Sequence, residues 1–412
     1  MAKKNIIEII FLTVKDFNPP LYYFLLHFWM KVFGSSEIAL RSLSIVFYWG
    51  TVYIAFLFLN KIFKIKERKA LFYLIFFIFN PLLLYYAFEA RMYTMFAFLA
   101  ALSYYAFYKK DVRLYLVATV AGLFTHYFMT LVVFSQLFFL IVNKKNVDYI
   151  KRKTIYLSLL IFAPWLIFFF SQKSLSGSFW LTKPHIKDIF GLLGIIYTGN
   201  ETAFYPGDTK LKMLNNVIYL SFVLVIIIIS GIYFYIKKFS KKEQVNFQLF
   251  SIWGVGISLI IGLVSFIKPL YFPRYLIFTS VGFLLLIIYI LEKINIFWRT
   301  IFITILLILT FSYQKLQIEY RKKTDLRKIL REIQVIANEN DPIYTDDLDF
   351  FTAQYYLNKN KVYIYGKNYE DIPVYIGKVL ISKERVAPSL PIYPEKAFIL
   401  NSDGEYTISA MY

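Results

Sequence analysis

The 412-residue chain contains no cysteine. Disulfides, thiol nucleophiles and thiolate metal sites are therefore excluded, and thiol usage says nothing about the redox compartment. Its three histidines, His27, His126 and His185, are too few for a multi-histidine metal centre, which leaves only a carboxylate-bound ion open. Charge is scarce as well: 17% of the residues are Asp, Glu, Lys or Arg, against about 25% in soluble domains. No glycine-rich phosphate loop or dinucleotide fingerprint occurs anywhere, so a soluble nucleotide-sugar or ATP site has no support.

What abounds is apolar surface. Hydrophobic residues make up 58% of the chain and aromatic residues 21%. A soluble protein must cover itself with polar groups, and this chain has too few, so lipid is its solvent. The net charge of +20 could suggest nucleic acid. However, the basic residues sit in short clusters between long apolar runs and form no basic groove. Such clusters mark cytoplasmic loops and contacts with anionic lipid.

A membrane-spanning helix needs about 20 apolar residues. Spans are expected near 38–60, 70–87, 92–108, 127–142, 154–171, 212–236, 246–266, 276–292 and 298–314. A shorter stretch, 114–126, reads as a further span bending back at Thr125-His126, which gives nine or ten crossings. Alternate loops are lysine-rich: Lys61 to Lys69, Lys109 to Arg113, Lys144 to Lys153, Lys237 to Lys242, and Lys293 with Arg299. By the positive-inside rule these face the cytoplasm. The other loops, holding Glu89 and Arg91, His126, the long 172–211 segment and Arg274, then face outside with the tail. On this reading residues 1–36 form an outer-face interfacial segment, 37–314 a transmembrane domain, and 315–412 a small soluble α/β domain outside the membrane. Since 38–60 must run from outside to inside, the chain is expected to lack an N-terminal transmembrane helix.

In the tail, Leu326, Ile329, Leu330, Ile333 and Ile336 recur at helical spacing. Pro342-Ile-Tyr-Thr, Lys361-Val-Tyr-Ile-Tyr and Lys396-Ala-Phe-Ile-Leu read as short strands, and Asp403-Gly404 as a hairpin turn. Asp346, Asp347 and Asp349 could bind a cation, but a solvated turn with a helix cap is the simpler reading.

Four groups could carry chemistry. Asp16-Phe-Asn18-Pro-Pro-Leu-Tyr-Tyr precedes an apolar segment, 21–33, too short to cross, where Asp16 and Asn18 could equally do no more than cap a helix. Glu89-Ala-Arg91-Met-Tyr93 puts two charges at the hydrocarbon edge, which are functional, paired, or snorkelling to water. His126 stands alone in Thr-His-Tyr and is either a packing residue or part of a site. Pro273-Arg274-Tyr275-Leu opens a span; arginine suits a lipid phosphate, though it also serves as a juxtamembrane anchor. In the 172–211 loop, Trp180, His185, Tyr205 and Asp208 are further candidates, and 185–198 reads as an amphipathic helix on the outer leaflet.

Six motifs occur in order: Asp-x-x-Pro-Pro-Leu-Tyr-Tyr, Phe33-Gly-x-Ser-Glu37-x-Ala-Leu-Arg41, Glu89-Ala-Arg-Met-Tyr93, Thr125-His-Tyr127, Pro164-Trp165-Leu and Pro273-Arg-Tyr-Leu276. Over roughly residues 5–300 this set resembles the GT-C membrane glycosyltransferases, closest to the dolichyl-phosphate-mannose-protein mannosyltransferase-like group that includes the lipid A aminoarabinose transferases. The resemblance implies an all-α polytopic bundle. It also implies inverting transfer of a sugar from a polyprenyl-phosphate-linked donor to an envelope lipid, glycan or protein on the non-cytoplasmic face of the cell membrane. A first loop with an acidic pair, common in such enzymes, is absent from this sequence. On this reading Asp16 and Glu89 are the catalytic carboxylates, and Arg91, Arg274, Tyr275 and His126 hold the donor phosphate. Asn18 and Tyr93 contact substrate, and a divalent ion at Asp16 and Glu89 is left open. Two rivals remain: a lipid-linked sugar transporter or flippase, which would show internal repeats and broken midplane helices, and an inactive relative that only binds the lipid carrier.

Overall fold

A computed structural model describes residues 1–143, 150–171, 183–184, 191–201, 207–320, 325–357, 361–401 and 403–412, the side chains from 207 to 209 excepted. The chain divides into two compact units, one within residues 2–321 and the other essentially 322–412.

The larger unit is a helical bundle. Six of its described helices are long and apolar enough to cross a membrane: Glu37–Ile62, Arg152–Ser171, Lys210–Lys237, Lys241–Val264, Pro273–Leu291 and Ile296–Tyr320. The expected nine or ten crossings are thus only partly matched by length. One reason is a break: the run expected over 70–87 is a pair of helices, Glu67–Ile78 and Pro81–Ala87, bent by 70°. Pro81 cannot donate to the preceding turn, and Asn80 instead caps the new helix, accepting from Leu83 N–H at 3.0 Å. The other reason is brevity. Val112–Leu123 and Met129–Val142 are separate helices, each shorter than a full crossing, joined by the turn at Thr125-His126. The last span runs on to Tyr320, beyond the expected end at 314.

The Ile277–Leu291 helix is the central strut, with every residue buried. Its fit depends on small residues. Cβ atoms placed on Gly254 would lie 2.5 Å from the Phe283 backbone, and on Gly282 2.4 Å from the Trp253 ring. Glycine at both positions lets the helices approach closely, as is common between membrane helices. Trp253 then donates to the Phe278 carbonyl at 2.8 Å, so the indole is satisfied without water.

The smaller unit is α/β, as expected from its strand signals. Strands β1 (Ile343–Thr345), β2 (Val362–Tyr365), β3 (Val386–Ala387), β4 (Ala397–Leu400) and β5 (Tyr406–Ser409) form one sheet in the order β3-β2-β1-β4-β5. All neighbours are parallel except β4 and β5, the hairpin closed around Gly404 at φ +91°. Leu330 and Ile333 of the Leu326–Ile336 helix and Phe350 and Ala353 of the Phe350–Tyr356 helix share a core with Ile343, Ile364 and Phe398. The acidic trio behaves as a turn: Asp346 accepts from Asp349 N–H at 2.8 Å, and Asp347 pairs with Lys367 at 2.7 Å.

Candidate functional site

Several helices of the bundle carry polar clusters at both ends. At one end Glu292 accepts from Lys69, 2.8 Å away, and from Tyr73, and meets Arg299 at 3.4 Å, while Lys293 pairs with Glu243. These belong to the lysine-rich loops. The Tyr93–Lys109 helix starts at the opposite cluster and ends at this one, a rise of about 25 Å for its 17 residues. The central strut likewise runs from Arg274 to Glu292.

The opposite cluster gathers the motif residues. Asp16 ends the Ile6–Lys15 helix, and Phe17 at φ +55° turns the chain. Asn18 donates to both the Asp16 carboxylate and its carbonyl, each at 2.9 Å. Neither caps the Leu21–Phe33 helix: its cap position is Pro20, with no side-chain cap. The capping alternative therefore fails, and Pro20's rigid ring already sets the helix entry. Burial pushes the Asp16 carboxyl up to about 6, against the opposing effects of the Asn18 hydrogen bond and the Arg91 charge.

Leu21 N–H donates to the Phe124 carbonyl at 3.0 Å, which docks this segment on the Thr125-His126 turn. His126 is buried in an aromatic cage. It stacks on Phe96 at 4.6 Å and 8°, with Tyr275 at 5.7 Å and Tyr93 at 6.2 Å. Its Nδ1 accepts from Phe128 N–H at 3.1 Å. Burial lowers its pKa to about 3, so it is neutral and forms a wall of the site rather than a charge.

Glu89 and Arg91 sit in a tight turn, with Arg91 N–H on the Glu89 carbonyl at 2.8 Å and Ser44 donating to the Arg91 carbonyl at 3.3 Å. Arg91 is exposed, and among the described residues its guanidinium makes no hydrogen bond or ion pair. It lies within electrostatic range of Glu89, Tyr86, Tyr93 and Arg274. The structure thus brings together all eight expected site residues: Asp16, Asn18, Glu89, Arg91, Tyr93, His126, Arg274 and Tyr275.

It also adds two that the sequence reading missed. Glu201 is buried and grips Arg274 with both oxygens, Nε to Oε1 at 3.2 Å and Nη2 to Oε2 at 3.0 Å. Tyr86 donates to Oε1 at 2.9 Å, and the guanidinium lies 4.3 Å from the Phe272 ring centroid. Local sequence explains the placement. Of the 185–198 stretch expected on the outer leaflet, residues 185–190 lie outside the described residues, and the Leu192–Thr198 helix packs inside the bundle, with Ile196, Tyr197 and Thr198 fully buried. Gly194 permits this, since a Cβ there would meet the Val217 carbonyl at 2.5 Å. Gly199, left-handed at φ +66°, then ends the helix and turns Asn200 and Glu201 inward. Asn80 Nδ2 ties the Tyr197 carbonyl to the bent joint at 2.8 Å, so the Tyr86 helix arrives beside Glu201. The only signal for this in the sequence was a lone acid following Gly-Asn after an apolar run.

Other motif positions are structural. Ser36 caps the Glu37 helix, Glu37 pairs with Arg41 on the surface, and Trp165 donates to Tyr127 at 3.3 Å. Trp180, His185 and Tyr205, and the Asp208 side chain, lie outside the described residues. Among the described residues, no three acidic or histidine groups gather in a metal-binding constellation, so the ion left open rests on Asp16 and Glu89 alone.

Fold and site define a polytopic helical membrane protein with a cluster of two arginines and three carboxylates at one end of its bundle. Residues 18–168 match the family model of dolichyl-phosphate-mannose-protein mannosyltransferases, the group the ordered motifs resemble. The solved structure of ArnT from Cupriavidus metallidurans in the apo state is similar over 93% of this chain and 82% of its own, at 13% identity and a TM-score of 0.47. No curated protein matches the chain.

Proposed function

We propose that the chain is a GT-C membrane glycosyltransferase that moves a sugar from a polyprenyl-phosphate donor to an acceptor hydroxyl at the non-cytoplasmic face. The observation that carries the reading is the meeting of Arg91, Arg274 and Asp16 at the bundle end remote from the lysine-rich loops. The family match over 18–168, which includes Asn18, Glu89 and Arg91, supports it. The basic character of the other end supports the orientation.

In this scheme the donor phosphodiester lies between Arg91 and the N-terminal turn of the central strut. Arg91 offers an uncommitted guanidinium, and Arg274 a fixed one beside a helix N-terminus, where negative charge is favoured. As the anomeric carbon–oxygen bond breaks, the bonding pair leaves on the polyprenyl phosphate, and both cations stabilise that charge. Asp16 takes the proton of the attacking hydroxyl. A carboxyl tuned to about 6 suits general-base work near neutral pH, and Asn18 aims it. Glu89 orients Arg91, and Tyr93 and Tyr275 meet the sugar, with His126 behind them. A divalent ion at Asp16 and Glu89 remains an additional proposal.

The test is transfer of radiolabelled sugar from a polyprenyl-phosphate donor in proteoliposomes without nucleotide. Arg91→Ala, an exposed change that spares the fold, should abolish transfer. Arg274→Lys, which keeps the charge but not the planar fork, should lower it at least tenfold. Full activity in both would refute the phosphate assignment. Donor translocation without transfer would instead establish the flippase rival.

A further inference from the structure

The geometry points to Glu201 as a positioning residue that sets the orientation in which Arg274 meets the donor phosphate, an inference that rests on the reading above. A guanidinium carries five N–H groups in a rigid plane. Glu201 takes one at Nε and one at Nη2, which is the side-on grip. Three N–H groups remain, two on Nη1 and one on Nη2, and one from each nitrogen points along the end edge of the plane. That edge suits two oxygens of a phosphate.

Three contacts fix the plane. The Glu201 carboxylate holds one edge, Tyr86 holds the carboxylate at 2.9 Å, and Phe272 covers a face at 4.3 Å. Arg274 also issues from the first turn of the fully buried strut, so its Cα has little freedom. The Glu201 side chain is 1% exposed, and that of Arg274 is 14% exposed. The carboxylate is therefore sealed inside while the cation keeps a path outward. A surface ion pair would show comparable exposure on both sides, as Lys293 and Glu243 do at 34% and 31%. A carboxylate that competed with the ligand would need to be reachable from the ligand's side.

The experiment uses the full chain in detergent micelles, with undecaprenyl phosphate as probe and undecaprenol, which lacks the phosphate, as control. Wild type should bind the phosphate at least tenfold more tightly than the alcohol. Glu201→Gln keeps the shape but halves the grip, and should lose most of that discrimination while leaving undecaprenol binding unchanged. Arg274→Lys should do the same, and the double variant should be no worse than Arg274→Lys alone, because both changes act through one guanidinium. Tyr86→Phe, the milder change, should cost two- to fivefold on the phosphate arm only. Unchanged or tighter phosphate binding in Glu201→Gln, or additive losses in the double variant, would overturn the positioning role. If Arg274→Lys also left binding intact, the phosphate assignment itself would fall with it. Equal loss on both arms would show a structural role and would likewise overturn the inference.

Discussion

Removing the Arg274 side chain should damage the protein before it damages catalysis, and by a foreseeable amount. Arg274→Ala strips the guanidinium from a carboxylate whose side chain is 1% exposed. Breaking a buried pair from one side costs about 3–5 kcal/mol, because the remaining charge stays desolvated. Arg274→Lys keeps a cation but cannot reproduce both hydrogen bonds, and losing one charge-assisted bond costs about 1.5–3 kcal/mol. Replacing both ions, as in Arg274→Met with Glu201→Leu, should return stability to within about 1 kcal/mol of wild type or raise it. The half-exposed Lys293–Glu243 pair is the internal control, and Lys293→Ala should cost under about 1 kcal/mol. Unfolding by SDS titration in mixed micelles, followed by tryptophan fluorescence, gives all four values. The reasoning fails if Arg274→Ala costs no more than Lys293→Ala, or if the double variant is as unstable as the sum of its parts.

Three further outcomes follow from the same contacts. Transfer should rise with pH along a limb centred near 6, the Asp16 value, because the base works only when deprotonated; Asp16→Asn should lose that limb with the activity. The same upward shift means that the folded chain holds its proton longer than the unfolded one, so the Asp16 contribution favours folding below pH 3.8 and is lost as pH rises through about 6. Gly254→Ala should destabilise by about 1–3 kcal/mol, since its Cβ would sit 2.5 Å from immovable Phe283 backbone, whereas Gly262→Ala, with open space, should be harmless. Finally, the chain has no native cysteine, so single cysteines report without background. Positions 89 and 91 should label from outside the cell with an impermeant maleimide, and positions 66 and 241 only after permeabilisation; the reverse pattern would invert the orientation.

Much of this was legible because it depends on local pattern. Strands at 343–345, 362–365 and 397–400 fall where β-branched and aromatic residues cluster, and the hairpin where Asp403-Gly404 permits a positive φ. The ordered motifs placed Asp16, Arg91, His126 and Arg274 at one end because loop polarity alternates along a bundle. What stayed hidden depends on pairing across distance. Nothing near Arg274 in the chain announces Glu201, which arrives 73 positions earlier from a helix whose burial hinges on Gly194. Hydrophobic periodicity cannot tell a helix on a membrane surface from one inserted beside the strut, because lipid and core are equally apolar. For His126 the sequence left packing residue and site member open, because its stacking on Phe96 is a tertiary fact.

The pairing of Glu201 with Arg274 also bears on turnover. On the proposed reading the donor is a phosphodiester with one negative charge, and the product, a polyprenyl phosphate monoester, carries more. Two uncompensated cations would hold the product more tightly than the donor, and release would limit the rate. With Glu201 against Arg274 and Glu89 in range of Arg91, each cation keeps its directional N–H groups while much of its net charge is balanced. The site can then favour the charge that develops during bond breaking through oriented donors rather than through bulk attraction. On that account Glu201→Gln has two opposed effects on phosphate binding: looser aim of Arg274, which weakens it, and one more unit of positive charge, which strengthens it. The positioning role requires that the loss of aim outweigh the added charge for donor and product alike. Single-turnover and steady-state rates measured together would distinguish them. A variant whose single-turnover rate falls while product release is no slower than in wild type would show that the loss of aim outweighs the added charge.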